Sequence, residues 1–201
     1  MLKFTKKEEI MKNFNGFLYH IVRYQKLEVG NKLTFGNTPN KFSEKIFEAS
    51  FQVEELDVNQ LVHSKPFKEF SGEEEKETKR YIYESCQMLR ELILEKVRKE
   101  EFSKRPSRLE CIYCTKSFEE AKQWIPALKR MHPSQPPLQI VKLKAKGNVF
   151  EGDGNLMLRN TFSLNSKIEM ARQYWSGSNN PKLSEVLFVG KAEVVEILEE
   201  F

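Results

Sequence analysis

The sequence predicts one α+β domain in which an antiparallel-rich sheet packs against several helices. Short runs of β-branched and aromatic residues alternate as strands do, whereas one long charged stretch near residues 73–101 has helical spacing. The segments follow one another without a strict strand–helix–strand rhythm, which disfavours a parallel α/β sheet. The length of 201 residues suits a single domain, with a core at about residues 16–198 and neither an internal repeat nor an interdomain linker.

The composition narrows the classes of function. The chain has 33 basic and 29 acidic residues, and this net charge of +4 is too small and too dispersed to indicate nucleic acid by itself. No stretch is apolar and long enough to span a membrane, and the charged segment MLKFTKKEEIMK lacks the apolar part of a signal peptide. Three cysteines fit reduced thiols. We therefore expect a cytoplasmic protein with no membrane partner, and a composition compatible with a bacterial source.

The N-terminal segments are expected to be a helix and two extended pieces. Residues 4–13 fit a short charged helix that Gly16 ends. The stretch FLYHIVR, residues 17–23, alternates as a strand and places His20 on a face with apolar neighbours. A second extended piece, NKLTF, covers residues 31–35.

A long helix is the strongest element of the pattern. Ser71 and Gly72 precede it, and the glutamates of its first turn suit the positive end of the helix dipole. We expect it to run to about Glu101 and to pack across a sheet. Its apolar stripe is expected to comprise Ile82, Cys86, Leu89, Ile93 and Val97. Before it, residues 41–50 have helical spacing, while a helix and a loop both fit the stretch up to Pro66.

The C-terminal half is expected to mix strands and helices. Strands are predicted over residues 109–115, 138–145, 183–189 and 193–198, and helices over residues 118–130 and 165–175. Ser117 is the expected N-cap of the first of these helices. Residues 147–155 are expected to turn and pair as a hairpin, residues 176–181 form a loop, and Gly190 separates the last two strands.

Three predicted strands each contain one polar residue that does not fit its surroundings: His20, Tyr113 and Glu185. A carboxylate on an apolar strand face is costly unless it is paired or hydrogen-bonded. Glu185 is therefore either at the exposed start of its strand or in a cleft with a function. His20 is either a satisfied structural residue or a group that binds a hydroxyl.

The loop RPSR precedes the strand of Tyr113 and adds two positive charges. Together with the following helix N-terminus it suits a flat anionic ligand such as a nucleotide, so Arg105, Ser107 and Arg108 are candidate cofactor-binding residues. The alternative is a core strand with a surface arginine loop.

The sequence disfavours metal chemistry. Cys111 and Cys114 form a single C-x-x-C, without the second pair or the histidines that a structural zinc site needs. On a strand, residues three apart point to opposite faces, so we expect buried inert thiols and no metal. Phosphate-loop and nucleophile-elbow motifs are missing from the sequence.

Local patterns resemble the ADP-ribosyltransferase superfamily, in the branch with a His-Tyr-Glu constellation. FLYHIVR resembles the first core strand, IYCTKSFEEAKQW the tyrosine strand with its following helix, and SEVLFVGKAEVVEI the late glutamate strand. The chain also resembles, over residues 17–198, a family of uncharacterised bacterial proteins that share R-P-S-R and A-x-x-Y-W. That second resemblance implies no established activity.

The superfamily resemblance implies a split antiparallel-rich sheet that grips NAD. His20 would then bind a ribose, Tyr113 would stack on nicotinamide, and Glu185 would stabilise an oxocarbenium-like transition state. The implied function is NAD-dependent ADP-ribosyl transfer or NAD glycohydrolysis, and the acceptor is unknown. Arginine-modifying toxins carry Glu or Gln two residues before the glutamate, where this chain has Leu183, so arginine modification is disfavoured.

Arg105 or Arg108 is expected to meet the pyrophosphate of NAD. Tyr174 and Trp175 form either helix core or an aromatic wall of the ligand cleft. The main alternative function is a non-catalytic module of the same fold that binds a nucleotide or a protein. Recognition of RNA or phosphate through the arginines is a third, less favoured one.

Overall fold

The computed structural model describes residues 12–48, 58–131, 136–158, 163–178 and 180–201, and this part of the chain contains five strands and five helices. In chain order they are β1 (Lys12–Val22), β2 (Lys32–Phe35), α1 (Lys41–Glu48), α2 (Val58–Ser64), α3 (Gly72–Glu101), β3 (Ile112–Cys114), α4 (Phe118–Met131), β4 (Gln139–Asp153), α5 (Leu164–Trp175) and β5 (Ser184–Glu200). Short 3-10 helices span Phe67–Glu69 and Gly154–Leu158. The α+β prediction is confirmed.

All strand pairs among the described residues are antiparallel. The sheet has the order β1-β4-β5-β2, and β3 pairs with β5. The long strands β4 and β5 pair along their whole common length, from Gln139 opposite Glu200 to Asp153 opposite Ser184. Tyr19 of β1 also exchanges two backbone hydrogen bonds with Thr115, at 3.0 and 2.8 Å, so the sheet curls until β1 meets the end of β3. This contact brings the strands of His20 and Tyr113 together.

The buried residues form one cluster on each side of the sheet. The first, which we call the strand cluster, contains strand residues that include Leu18, Val141, Leu143, Val186 and Phe188. The second, the helix cluster, combines residues of α3 and α5 with Phe150 and Leu187. Cys111 lies in the helix cluster and Cys114 in the strand cluster, which confirms that the two thiols face opposite sides.

Helix α3 begins with a capping box that the sequence analysis did not identify. The Ser71 backbone N–H donates to Glu74 Oε2 at 2.7 Å, and the Glu74 backbone N–H donates to Ser71 Oγ at 3.3 Å. The helix runs from Gly72 to Glu101 and packs mainly against α5 rather than directly across the sheet. In the described ranges, no helix is both long and apolar enough to cross a membrane.

The predicted apolar stripe of α3 is correct only in its C-terminal half. Ile93 and Val97 are buried, whereas Ile82 and Leu89 are 50% and 44% exposed and Cys86 is also exposed. A helix of 30 residues is about 45 Å long. It therefore extends beyond the core, and its first half keeps apolar side chains at the surface.

Two glycines that were expected to end strands lie inside them. Gly147 of β4 is paired with Gly190 of β5, so residues 139–153 and 184–200 each form one continuous strand. A Cβ at Gly147 would lie 2.2 Å from the backbone oxygen of Val189, and Gly190 has a φ of 140° that other residues rarely adopt. The glycines therefore permit a close bend in which pairing continues, and the predicted hairpin and strand break are wrong.

The predicted helix at residues 4–13 is wrong where the structure describes it. Lys12 and Asn13 belong to β1 and pair with β4, and the rest of the segment lies outside the described residues. Gly16 lies within β1 as well. Pairing with β4 and the packing of Phe14 on the strand cluster favour the strand over a short charged helix.

Candidate functional site

His20 joins β1 to β3 through its side chain. Its Nδ1–H donates a hydrogen bond to the backbone oxygen of Tyr113 at 2.8 Å. Burial lowers the pKa of His20 to about 4, so the ring is neutral at pH 7 and Nε2 is a hydrogen-bond acceptor. No described residue donates a hydrogen bond to this Nε2.

The RPSR loop turns inward instead of continuing β3 towards the N-terminus. The backbone N–H of Leu109 donates to Ser107 Oγ at 3.2 Å, and that of Cys111 to the Ser107 backbone oxygen at 3.1 Å. These turns occupy part of the predicted strand 109–115, so β3 covers only Ile112–Cys114. They also direct Arg108 into the interior.

Arg108 is the centre of a buried network, which we call the Arg108 cluster and which comprises Glu91, Arg108, Tyr174 and Glu185. Arg108 donates from Nε to Glu91 Oε2 at 2.9 Å and from Nη1 to the Tyr174 hydroxyl at 2.7 Å, and it forms an ion pair with Glu185 Oε2. The Tyr174 hydroxyl donates to the same Glu185 oxygen at 2.6 Å. The exposed fractions are 2%, 5%, 0% and 6%, respectively.

The charges of this cluster stabilise one another. Burial alone would lower the pKa of Arg108, but Glu185 and Glu91 raise it well above its usual range. Burial would likewise raise the pKa of Glu91, but Arg108 and Arg90 bring it below the ordinary value. Burial raises the pKa of Tyr174 far enough that its hydroxyl stays a donor. Glu185, the carboxylate that did not fit its apolar strand face, is therefore buried and paired with Arg108.

Tyr113 is held by its neighbours. Its hydroxyl donates to the backbone oxygen of Arg108 at 2.7 Å, and the Arg108 guanidinium lies 5.0 Å from the ring centroid. The ring of Phe42 meets it edge-on at 6.2 Å. A ligand that stacks on Tyr113 therefore has to contact a part of the ring that the Arg108 guanidinium does not cover.

One cavity of about 580 Å³ borders all three polar residues that were singled out, His20, Tyr113 and Glu185. We call it the His20 cavity. Both contacts of Glu185 involve Oε2, and no described residue donates a hydrogen bond to Oε1. The cavity therefore has two lining residues that each keep an unused acceptor atom. Other residues that line it are Tyr19, Arg23, Arg90, Arg108 and Trp124.

Three cations that line this cavity were missed in the sequence: Arg23, Lys41 and Arg90. Arg23 Nη1 is buried and has no hydrogen-bond partner in the described part of the chain. Arg90 contacts Glu91 Oε1 at 3.1 Å and donates to the Met157 backbone oxygen at 3.2 Å. Arg23 follows the strand of His20 directly, which is a usable local signal, whereas nothing in the spacing of α3 distinguishes Arg90 from its charged neighbours.

Four predicted binding residues are not among those that line the His20 cavity: Arg105, Ser107, Tyr174 and Trp175. Arg105 lies 4.9 Å from the Phe150 ring centroid, and Ser107 Oγ donates to Glu95 at 3.1 Å. Trp175 is fully buried and donates from Nε1 to the Leu94 backbone oxygen at 2.8 Å. Tyr174 acts on the cavity through Glu185. Binding roles for the four residues stay predictions.

Comparison with known proteins gives a family without an assigned activity. A family model described as "Protein of unknown function (DUF2441)" matches residues 18–200. The match includes the strands and helices that contribute to the His20 cavity. No curated protein matches the chain.

Proposed function

This chain belongs to the DUF2441 family, and we propose that it binds NAD in the His20 cavity and cleaves the bond between nicotinamide and ribose. ADP-ribose is then transferred to an acceptor or to water. The observation that carries the proposal is the pair of unused acceptors, His20 Nε2 and Glu185 Oε1, on residues that line one cavity. The resemblance of the three strand motifs to the ADP-ribosyltransferase superfamily, which implies an ADP-ribosyltransferase-like sheet, also supports the proposal.

The two acceptors suit the hydroxyl groups of a ribose. A hydroxyl donates one hydrogen bond, and a partly buried acceptor without a donor gains from receiving it. Arg23 and Arg90 provide positive charge for a pyrophosphate, since guanidinium groups bind phosphate oxygens with directed hydrogen bonds. Tyr19 is an aromatic residue of the same cavity and offers an apolar surface for a ring of the ligand.

The cleavage requires a negative charge close to the nicotinamide ribose. The bond between C1′ and the nicotinamide nitrogen breaks, its electron pair leaves with nicotinamide, and positive charge develops on the ribose. A fixed carboxylate stabilises that charge, which is the role we assign to Glu185. Arg108 and Tyr174 hold Glu185 by Oε2 and so orient Oε1. Water or another nucleophile then attacks C1′ and loses a proton.

A non-catalytic nucleotide-binding module is the second candidate. The observation in its favour is the ion pair between Arg108 and Glu185, because a neighbouring cation reduces the stabilisation that the carboxylate gives to a positive transition state. In that case the same cavity binds NAD or a related nucleotide without breaking it.

The test combines calorimetric titration with NAD and chromatographic detection of nicotinamide. We expect the wild-type protein to bind NAD and release nicotinamide, and Glu185→Gln to slow the release at least about 100-fold while NAD binding changes little. The matched control is Glu91→Gln, which removes the other carboxylate of Arg108 and does not line the His20 cavity. Melting curves of both variants separate a loss of catalysis from a loss of folding.

Each result decides between the candidates. Binding without nicotinamide release by the wild-type protein supports the non-catalytic module. Release by Glu185→Gln at the wild-type rate removes the catalytic role of the glutamate. No binding at millimolar NAD contradicts the NAD-cleaving candidate and restricts the second candidate to a related nucleotide.

A further inference from the structure

A second cavity lies between α3, α4 and α5, and the proposed function uses only Arg90 of its lining residues. We call this cavity the α3–α5 groove, and its volume is about 500 Å³. Four of its lining residues are cationic, and none of those that the structure describes there is Asp or Glu. The cations are Lys79, Arg90, Arg130 and Lys167.

The groove contains two cations that form no ion pair with an acidic residue in the described part of the chain. Lys79 pairs with Glu75, and Arg90 pairs with Glu91. Arg130 and Lys167, by contrast, have no ion-pair partner within the described ranges. A ligand that carries negative charge therefore finds two cations there whose charge is not already neutralised.

The remaining surface of the groove is largely apolar. Leu94, Met157 and Ala171 line it and are buried, and Met170 lines it beside them. Methionine side chains adapt to ligands of different shape because they are unbranched and polarisable. The groove thus combines an apolar surface with a cationic one, and an amphipathic anion fits that combination.

We propose that the α3–α5 groove binds a phosphomonoester with an apolar body. A phosphomonoester carries close to two negative charges at pH 7, which match the charges of Arg130 and Lys167, and it offers three acceptor oxygens. The apolar body lies on the surface formed by Met157 and its neighbours. An alkyl chain and a nucleobase share this chemistry, and the experiment distinguishes them.

Cys86 gives a direct measure of occupancy, because it lines the groove and is exposed. Cys111 and Cys114 are buried, and burial raises the pKa of both thiols, so iodoacetamide reacts with Cys86 first. Labelling rates are followed by mass spectrometry at fixed pH. The compounds added are decyl phosphate, decanol, adenosine monophosphate and inorganic phosphate.

We expect decyl phosphate to protect Cys86 at a concentration at which decanol and inorganic phosphate do not. In the double variant Arg130→Gln with Lys167→Gln, protection should require about tenfold more ligand, because two charge-assisted contacts are lost. The matched control is Lys122→Gln, an exposed lysine of α4 that does not line the groove, and it should behave as wild type.

The outcomes distinguish an alkyl phosphate from a nucleotide as the ligand. They also include results that would overturn the proposal. Protection by adenosine monophosphate alone, lost in the double variant, identifies the apolar body as a nucleobase. Protection by decanol equal to that by decyl phosphate, or no protection by either phosphomonoester at millimolar concentration, overturns the proposal. Unchanged protection in the double variant overturns it as well. Arg130 and Lys167 do not line the His20 cavity, so each result leaves the NAD proposal untouched.

Discussion

The two cavities share Arg90, yet they differ in how positive charge is compensated. At the His20 cavity, Arg108 is enclosed by two carboxylates and a tyrosine hydroxyl. In the α3–α5 groove, Arg130 and Lys167 have no such partner among the described residues. The charge of Arg108 is used in contacts within the folded protein, whereas the charges of Arg130 and Lys167 are available to a ligand.

The difference follows from burial. Removing a charged group from water costs several kcal/mol, and a buried pair offsets this only while both partners are present. Exposed cations keep their hydration, so their presence or absence changes the free energy of unfolding little. Loss of the Arg108 charge should therefore destabilise the folded state, whereas loss of the groove cations should mainly weaken ligand binding.

The largest expected effect is that of Arg108→Gln. It leaves Glu91 and Glu185 buried without their shared cation, and we expect the free energy of unfolding to fall by about 4 kcal/mol. Urea denaturation followed by circular dichroism measures the change. The matched control is Arg172→Gln on α5, where a 46% exposed arginine pairs with Glu101, so the free energy of unfolding should fall far less than in Arg108→Gln. Equal losses in the two variants would contradict the comparison.

A smaller effect is expected from the titration of His20. Its pKa is lowered from 6.5 to about 4 in the folded state, so the unfolded state binds the proton first as the pH falls. The stability contributed by the neutral ring is fully present above pH 6.5 and is lost between pH 6.5 and 4. The loss amounts to roughly 3 kcal/mol for this one group.

His20→Gln isolates that contribution, because glutamine does not titrate. The free energy of unfolding of the wild type should fall more steeply than that of His20→Gln between pH 6.5 and 4. His63→Gln, at an exposed position of α2, is the control and should follow the wild type. Parallel curves for wild type and His20→Gln would show that the ring is protonated as easily in the folded state as in the unfolded one.

Structural features that depend on residues close together in the sequence could be predicted from the sequence. The alternation of FLYHIVR placed His20 on the same face as buried Leu18, and Ser71 and Gly72, with the glutamates that follow them, marked the start of α3. Gly147 and Gly190 led to a wrong prediction because each glycine allows the other strand to approach closely. Each glycine alone suggests a break, and only their pairing across β4 and β5 shows that both strands continue.

The candidate site was predictable only where it depends on residues close together in the sequence. Glu185 was visible as a carboxylate on an apolar strand face, since that cost arises within one strand. Its partners Arg108 and Tyr174 lie on a loop and a helix distant in sequence, and no local pattern connects them to it. Arg108 was assigned to a ligand because the inward turn that Ser107 makes depends on hydrogen bonds rather than on hydrophobic spacing.

The smallest expected effect on stability is that of Arg130→Gln combined with Lys167→Gln. Neither side chain has an ion-pair partner in the described part of the chain, so the free energy of unfolding should change by less than about 0.5 kcal/mol in urea denaturation. Removing two like charges from one groove also relieves repulsion, and any change at low salt should be towards higher stability. A loss close to that of Arg108→Gln would mean that the groove cations support the fold. A neutral result, together with weaker protection of Cys86 by decyl phosphate, would assign their charge to binding.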